Sequence, residues 1–174
     1  YFDTKKVEVI GNLTRESIFS KKAQLKKITD FINSSKNLIY VTGGNQGSHF
    51  INRLIMGSKK LLSNYSIIHQ LGTLNYKGDF DNAQKLNKEN YLALDFISAA
   101  DIGAVLNKAD LVISRSGANT IWELALLRKP SILIPLKIAA ANEQEINARI
   151  LEEAGCARVL LQNEATTKTL EQEV

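Results

Sequence analysis

The chain has 174 residues, of which 44% are hydrophobic and 23% charged, and its formal net charge is +4. This length and composition are typical of one soluble globular domain with a sizeable core, and no apolar run is long enough to span a membrane. Its single cysteine excludes an internal disulfide and a metal site built from several cysteines. The positive charge permits an anionic partner, but the lysines are scattered, which favours a solvated surface over a nucleic-acid patch.

Patterns typical of strands and helices alternate along the chain. The first residues, YFDTKKVEVIGN, lack the apolar stretch of a signal peptide, which fits a reducing, cytoplasmic setting, and they predict a short strand over 6–12. Six further strands are predicted over 37–44, 65–72, 90–96, 110–117, 130–136 and 156–162. Helices are predicted over 14–33, 48–62, 99–109 and 142–155, and another directly after 117. Pro130 ends that helix, Gly155 closes the last one, and Cys156 is expected to be a small buried hydrophobe.

The strands are continuous runs of Val, Ile and Leu rather than alternating ones. Such strands, separated by helices, predict a parallel sheet that is covered on both faces. No repeat or low-complexity segment divides the chain. We therefore predict one α/β domain with a Rossmann-like, doubly wound parallel sheet. Its ligand is expected beyond the carboxyl ends of the strands, in the loops that follow them.

The loop TGGNQGS, residues 42–48, is rich in glycine and joins a predicted strand to a predicted helix. Its glycines allow backbone N–H groups to approach a ligand, and the helix N-terminus favours an anion such as phosphate. A tight strand-to-helix turn without a ligand would explain the same glycines. The loop is not a P-loop, and Thr42 stands where a dinucleotide fingerprint begins with glycine. Because no acid follows the next strand, IIHQLG, an NAD enzyme is disfavoured.

A second small-residue loop, SRSGANT, covers residues 114–120 and also precedes a helix. Two such loops that face each other could hold a diphosphate. The apolar helix that follows keeps one acid, Glu123, and two interpretations stay open. Thr120 and Glu123 have the spacing of a capping box. Alternatively, the carboxylate accepts hydrogen bonds from two sugar hydroxyls, since it has two acceptor oxygens and no donor.

Several other polar and aromatic residues invite a functional interpretation. His49 and His69 are the only histidines and are candidate bases. For His49 we favour a polar residue in the first turn of a helix, and for His69 a packing or hydrogen-bonding residue at a strand end. Trp122 and Tyr91 are expected to be core or interface residues rather than platforms for base stacking.

Five segments in this order resemble the C-terminal half of the MurG family. They are VEVIGNLTRESI, VTGGNQGSHFIN, IIHQLG, ADLVISRSGANTIWELALLRKPSILIPL and NEQEINARILEEAG. The similarity runs from about residue 7 to about residue 165. It implies the C-terminal half of a GT-B fold, with 1–19 as interdomain strand and linker and 20–174 as the nucleotide-sugar-binding domain. It also implies that the N-terminal acceptor domain is absent from this chain.

The resemblance assigns roles to individual residues of a UDP-GlcNAc site. Arg15 approaches the donor diphosphate, Glu123 holds the ribose hydroxyls, and the backbone of Phe96 and Ile97 meets uracil. Gln144 and Asn147 lie near the sugar. The first phosphate loop is Gly44, Asn45, Gln46 and Gly47, followed by Asn52 in its usual place, and the second is Ser116, Gly117, Ala118, Asn119 and Thr120.

The sequence departs from the family pattern at a few of these positions. Asn45 replaces the usual serine, and Leu13 and Thr14 replace the proline and valine before Arg15. Glu143 stands where many relatives have histidine or glutamine. These changes leave the uridine and phosphate contacts in place and bear on sugar selectivity.

The family's activity is the transfer of N-acetylglucosamine from UDP-GlcNAc to lipid I, which forms lipid II in peptidoglycan synthesis. The resemblance implies an inverting, metal-independent hexosyltransferase without a cofactor, in the cytoplasm and peripheral at the inner face of the cell membrane. Its catalytic base and its undecaprenyl-linked acceptor belong to the N-terminal domain, so this chain alone is expected to be inactive. Alternatives are a UDP-sugar-binding module without turnover, a glycolipid glycosyltransferase and a UDP-GlcNAc epimerase.

Overall fold

The structure is a computed structural model that describes residue 8 and residues 12–137 and 142–174. The strand predicted over 6–12 therefore lies almost entirely outside the described residues. Within these described residues there are six strands: β1 Leu38–Thr42, β2 Ser66–Gln70, β3 Tyr91–Leu94, β4 Leu111–Ser114, β5 Ser131–Leu133 and β6 Ala157–Val159. The α-helices are α1 Lys26–Ser34, α2 His49–Gly57, α3 Lys59–Asn64, α4 Asp79–Gln84, α5 Ile102–Lys108, α6 Ala118–Leu126, α7 Glu143–Glu153 and α8 Thr167–Glu173. Short 3-10 helices cover Glu16–Phe19 and Tyr76–Gly78.

The strands form one parallel sheet in the order β3-β2-β1-β4-β5-β6. Alternate residues of each strand point to opposite faces, so strands β1 to β5 each contribute to two apolar clusters, whereas β6 contributes to one. Helices α2, α3, α4 and α8 cover one face, and α1, α5, α6 and α7 cover the other. The predicted doubly wound sheet is confirmed. The order of the strands reverses between β1 and β4, which is where such sheets bind ligands.

Two of the predicted helices are divided in the structure. The helix predicted over 14–33 is wrong as a single element, because the backbone N–H groups of Gln24 and Leu25 donate to Asp101 Oδ1 at 2.7 and 2.9 Å. These bonds hold an extended segment ahead of α1. The helix predicted over 48–62 ends at Gly57, and Ser58 starts a new one by accepting a hydrogen bond from the N–H of Leu61 at 3.1 Å.

Two predictions about single residues are also wrong. The capping box of Thr120 and Glu123 is absent, because α6 begins earlier, at Ala118, with Gly117 as its N-cap. Cys156 is exposed rather than buried. It follows Gly155, whose φ of 73° turns the chain away from α7 at the surface.

The segment that carries Arg15 is fixed to the domain just after that residue. Ile18 is fully buried, and Asn107 Nδ2 donates to the Ile18 carbonyl oxygen at 2.8 Å. A Cβ atom on Gly103 of α5 would lie 2.1 Å from the carbonyl oxygen of Ser17. Residues 16–20 therefore pack tightly against α5. None of the described helices combines the length and apolar character needed to cross a lipid bilayer.

Candidate functional site

A cleft opens at the carboxyl ends of β1 and β4, at the point where the strand order reverses. Three adjoining cavities make up this cleft, and all three are lined by Gly44, Asn45 and Thr120. The loop after β1 forms one wall, and the start of α6 forms the other. The structure thus brings the two small-residue loops together, as the sequence predicted.

The loop after β1 needs its glycines for conformation and for space. Gly44 and Gly47 have φ values of 88° and 87°, which side chains with a Cβ atom rarely adopt. A Cβ atom on Gly47 would also lie 1.9 Å from the carbonyl oxygen of Leu71. Ser48 then caps α2 by accepting from the N–H of Ile51 at 3.4 Å. The loop therefore holds the N-terminus of a nine-residue helix against the cleft, where its dipole favours an anion.

The second loop is connected to α7 rather than to α6 through its side chains. Ser116 Oγ donates to the carbonyl oxygen of Gln144 at 2.6 Å, and Asn147 Nδ2 donates to that of Ser116 at 3.2 Å. Gln144 Oε1 accepts from the N–H of Leu136 at 3.0 Å. No side chain caps α6 at Gly117, so the N–H groups of its first turn remain available to a ligand.

The acid on α6 forms an ion pair with an arginine that is 108 positions away in the sequence. Arg15 Nε donates to Glu123 Oε1 at 2.9 Å, and Arg15 Nη2 lies 2.7 Å from the same oxygen. The Arg15 side chain is 46% exposed and that of Glu123 is 16% exposed. Both residues line the first two cavities of the cleft. The carboxylate therefore faces the cleft with only one of its oxygens engaged by Arg15.

The first cavity extends from this ion pair to β2, where Gln70 lines it. Gln70 organises it: its Oε1 accepts from the Tyr40 hydroxyl and from the Ile97 N–H, both at 3.2 Å. Its Nε2 donates to the carbonyl oxygen of Gly44 at 3.3 Å, which links the pocket to the first loop. Ile97 is buried, whereas Phe96 is 44% exposed at the rim. Burial raises the pKa of Tyr40, so its hydroxyl stays a neutral donor.

Sequence reasoning missed Tyr40 and Gln70, although Gln70 carried a signal. It is a polar residue in the strand SIIHQ, which is buried over its last four positions. A buried amide in a strand needs hydrogen-bond partners, and here it finds them on three different segments.

Sequence reasoning also missed Arg115, which follows β4 between two serines. Its Nη1 donates to the carbonyl oxygens of Ile134 and Pro135 at 2.9 and 3.2 Å. Its Nη2 donates to Ser48 Oγ and Gln162 Oε1 at 2.9 and 2.7 Å. Burial lowers its pKa to about 10, which leaves it cationic at neutral pH. Arg115 thus connects the loops after β1, β5 and β6 and adds positive charge beside the first loop.

The two histidines differ in position: His69 lies inside the fold, whereas His49 lines the third cavity of the cleft. His69 is fully buried, its Nδ1 lies 2.7 Å from the Tyr91 hydroxyl, and its Nε2 lies 3.1 Å from Asn52 Oδ1. Burial lowers the pKa of His69 to about 3, so the ring is neutral. His49 is the first residue of α2, and its Nδ1 lies 2.7 Å from Asp79 Oδ1. The predicted roles of both, in packing and in a first helical turn, are confirmed.

The cleft gathers most of the residues that the resemblance singled out. Arg15, Gly44, Asn45, Phe96, Ile97, Thr120 and Glu123 line its first cavity. Gln46, Gly47, Gly117 and Gln144 line its third cavity, and Asn119 lines its second. Ser116, Ala118 and Asn147 line none of the three, and Ser116 and Asn147 bond to each other instead. Of the two aromatic residues predicted to be core or interface residues, Tyr91 is buried and Trp122 is exposed.

Known proteins are similar to this chain in sequence and in fold. Residues 38–174 match the glycosyltransferase family 28 C-terminal domain. One similar protein is the UDP-N-acetylglucosamine--N-acetylmuramyl-(pentapeptide) pyrophosphoryl-undecaprenol N-acetylglucosamine transferase of Geobacillus thermodenitrificans. The two sequences are 35% identical over 173 residues, and this alignment covers 98% of this chain and 47% of the relative. This chain is 37% identical over 170 residues to the enzyme of the same name from Clostridium botulinum, with 97% and 46% covered.

A solved structure supports the same relationship. The crystal structure of Acinetobacter baumannii MurG matches with a TM-score of 0.68 and 26% identity, over 89% of this chain and 44% of that one. The chain spans about half the length of the curated relatives it matches. The resemblance to the MurG family is confirmed. The prediction that the chain is the C-terminal half of a GT-B fold is confirmed as well. The chain belongs to the glycosyltransferase family 28 C-terminal domain family.

Proposed function

We propose that this chain binds UDP-GlcNAc and is the donor half of a hexosyltransferase that transfers N-acetylglucosamine to lipid I to form lipid II. The names of the relatives support the donor and the lipid-linked acceptor. In this proposal residues 20–174 are the donor domain, and residues 1–19 link it to an acceptor domain. The whole enzyme works at the inner face of the cell membrane, where its undecaprenyl-linked acceptor lies.

The observation that carries the proposal is the meeting of two helix N-termini, each preceded by a small-residue loop, at the switch point of the sheet. The first loop presents the N-terminus of α2, and Gly117 opens α6 without a side-chain cap. Arg115 adds a buried positive charge next to Ser48. A diphosphate between the two loops would accept hydrogen bonds from both, and Arg15 reaches the same space from the rim.

In this proposal Glu123 and the pocket next to it bind the nucleoside that carries the diphosphate. Glu123 would accept hydrogen bonds from the two ribose hydroxyls, a role for which a carboxylate is suited. The base would enter the pocket of Gln70, Phe96 and Ile97. The Ile97 N–H donates to Gln70 Oε1, and a uracil carbonyl oxygen is a chemically equivalent acceptor.

The chain's own residues account for donor binding and not for deprotonation of an acceptor. Both ring nitrogens of His69 are engaged inside the fold, and His49 is held by Asp79. In the proposal the base comes from the acceptor domain, and the reaction requires both substrates in contact. The chain alone therefore binds its donor without transferring the sugar.

The test is a calorimetric titration of the chain with UDP, UDP-GlcNAc and ADP. We expect UDP and UDP-GlcNAc to bind at least about tenfold more tightly than ADP, because about two hydrogen bonds to the uracil edge distinguish the bases. Equal affinity for UDP and ADP would contradict the uracil pocket. Lack of binding by any of the three would contradict the donor site itself.

A further inference from the structure

The ion pair of Arg15 and Glu123 occupies the groups that the proposed donor needs at two different places. Arg15 directs both its Nε–H and its Nη2 group at a single oxygen, Glu123 Oε1. In the proposed function Glu123 binds the ribose and Arg15 binds the diphosphate. In the structure the two charged groups bind each other instead. A ligand that uses both residues must first separate them.

We propose that this ion pair is a selectivity gate, which closes the ribose site to ligands that bring no phosphate. The proposal rests on the proposed function. A nucleoside that places its hydroxyls on Glu123 displaces Arg15 into water and offers it nothing in return. A nucleoside diphosphate displaces Arg15 as well, but it supplies an anion that accepts the same N–H groups. The gate therefore favours diphosphates over nucleosides beyond what the phosphate loops contribute.

The position of the pair on the cleft supports this role. Both residues line the first cavity, which holds Gln70 and Phe96, and the second, which holds Asn119 and Thr120. The pair thus lies between the pocket for the base and the start of α6. A ligand that spans from one cavity to the other passes the ion pair.

The anchoring of Arg15 shows how the gate opens. The chain just after it is held on α5, through the buried Ile18 and the hydrogen bond from Asn107 to its carbonyl oxygen. Rotation of the Arg15 side chain is therefore enough to release Glu123, and no helix or strand has to move. An ion pair as exposed as this one changes a binding equilibrium by about two- to fivefold. It is thus weak enough for a ligand to open and strong enough to measure.

The test compares uridine and UDP as probes of the chain and of its Arg15→Met variant, with ligand-observed NMR for the weaker probe. Methionine keeps an unbranched stem and removes the charge. We expect uridine to bind about two- to fivefold more tightly to the variant, because Glu123 is released. We expect UDP to bind at least about tenfold more weakly, because a charged hydrogen-bond partner is lost. The matched control is Arg53→Met, which removes an exposed positive charge outside the cleft and should leave both affinities within about twofold.

The opposite signs for the two probes are the signature of the gate. If the variant binds UDP more weakly but does not bind uridine more tightly, the gate is overturned and Arg15 is a plain phosphate ligand. The same conclusion follows if uridine binds to neither protein. Equal losses for both probes would overturn the gate as well, because Arg15 would then order the whole site. Failure of the unaltered chain to bind UDP would remove the proposed function, and the gate with it.

Discussion

Two polar clusters of the domain differ in burial. The buried cluster consists of Asn52, His69, Asp79 and Tyr91, all of which are inside the fold. Asn52 connects them: its Nδ2 donates to Asp79 Oδ2 at 2.7 Å and to the Leu71 carbonyl oxygen at 3.1 Å, and its Oδ1 faces His69. The rim cluster is the half-exposed ion pair of Arg15 and Glu123. One cluster has fixed partners, and the other borders the cleft.

The difference shows how burial separates structural from ligand-binding groups of similar chemistry. A buried polar atom that loses its partner pays the cost of desolvation, so the buried cluster cannot exchange partners freely. Because Asn52 Nδ2 is used twice as a donor, its Oδ1 must accept from His69 Nε2–H, and His69 Nδ1 then accepts from the Tyr91 hydroxyl. Water can replace either partner in the rim cluster at little cost. Ligand binding is therefore expected at the rim.

The largest effect on stability is expected at the centre of the buried cluster. Asn52→Ala removes the hydrogen bonds to Asp79 Oδ2, His69 Nε2 and the Leu71 carbonyl, all of which are buried, and should lower the free energy of unfolding by about 3 kcal/mol. Urea denaturation followed by circular dichroism measures this change. Asn45→Ala, an amide at the exposed edge of the cleft, is the matched control and should cost less than about 0.5 kcal/mol. Similar values for the two variants would break the distinction between buried and rim groups.

A smaller effect is expected from the titration of His69. Burial lowers its folded pKa to about 3, below the 6.5 of an unperturbed histidine. Between these values the unfolded chain binds a proton that the folded chain does not bind. The stability that the neutral His69 contributes to the folded state is therefore complete above pH 6.5 and is lost as the pH falls toward 3.

Denaturation at pH 7 and at pH 5.5 tests this sign. Between the two values the native chain should lose about 1 kcal/mol more than the His69→Gln variant, which cannot take up the proton. The comparison with the variant therefore isolates the contribution of His69. Identical pH dependence would mean that His69 is solvated, and the buried cluster would no longer contrast with the rim.

Much of the fold could be predicted because buried parallel strands leave a simple signal in the sequence. Most strands are apolar over most of their length, and β1 is buried at all five positions. The breaks in the helices could not be predicted from local patterns. The extended segment before α1 depends on Asp101, which is 76 positions from Leu25 in the sequence. Helices α4 and α8 were missed, because short helices with few apolar residues carry little periodic signal.

The loops of the site could be predicted from the sequence, whereas the contacts between residues that are distant in the sequence could not. Glycine and serine after strands indicated the two walls of the cleft, because backbone conformation there depends on local residue type. The partner of Glu123 could not be predicted, since Arg15 meets it only through the fold. The contacts of Gln70 and Arg115 also join loops that are distant in sequence. Spacing alone suggested a capping box for Glu123, and only the start of α6 at Ala118 excluded it.

Glu123 is proposed to hold the ribose of a uridine nucleotide, and the Glu123→Gln variant tests this role. The substitution keeps the size of the side chain and should change the free energy of unfolding by less than about 1 kcal/mol, since the ion pair is exposed. UDP affinity should fall by about 1.5–3 kcal/mol, the scale of a hydrogen bond to a charged group. Titration with 2′-deoxy-UDP completes the measurement. The native chain should bind the deoxy ligand more weakly than UDP, and the variant should discriminate less, whereas equal discrimination by both proteins would contradict the account.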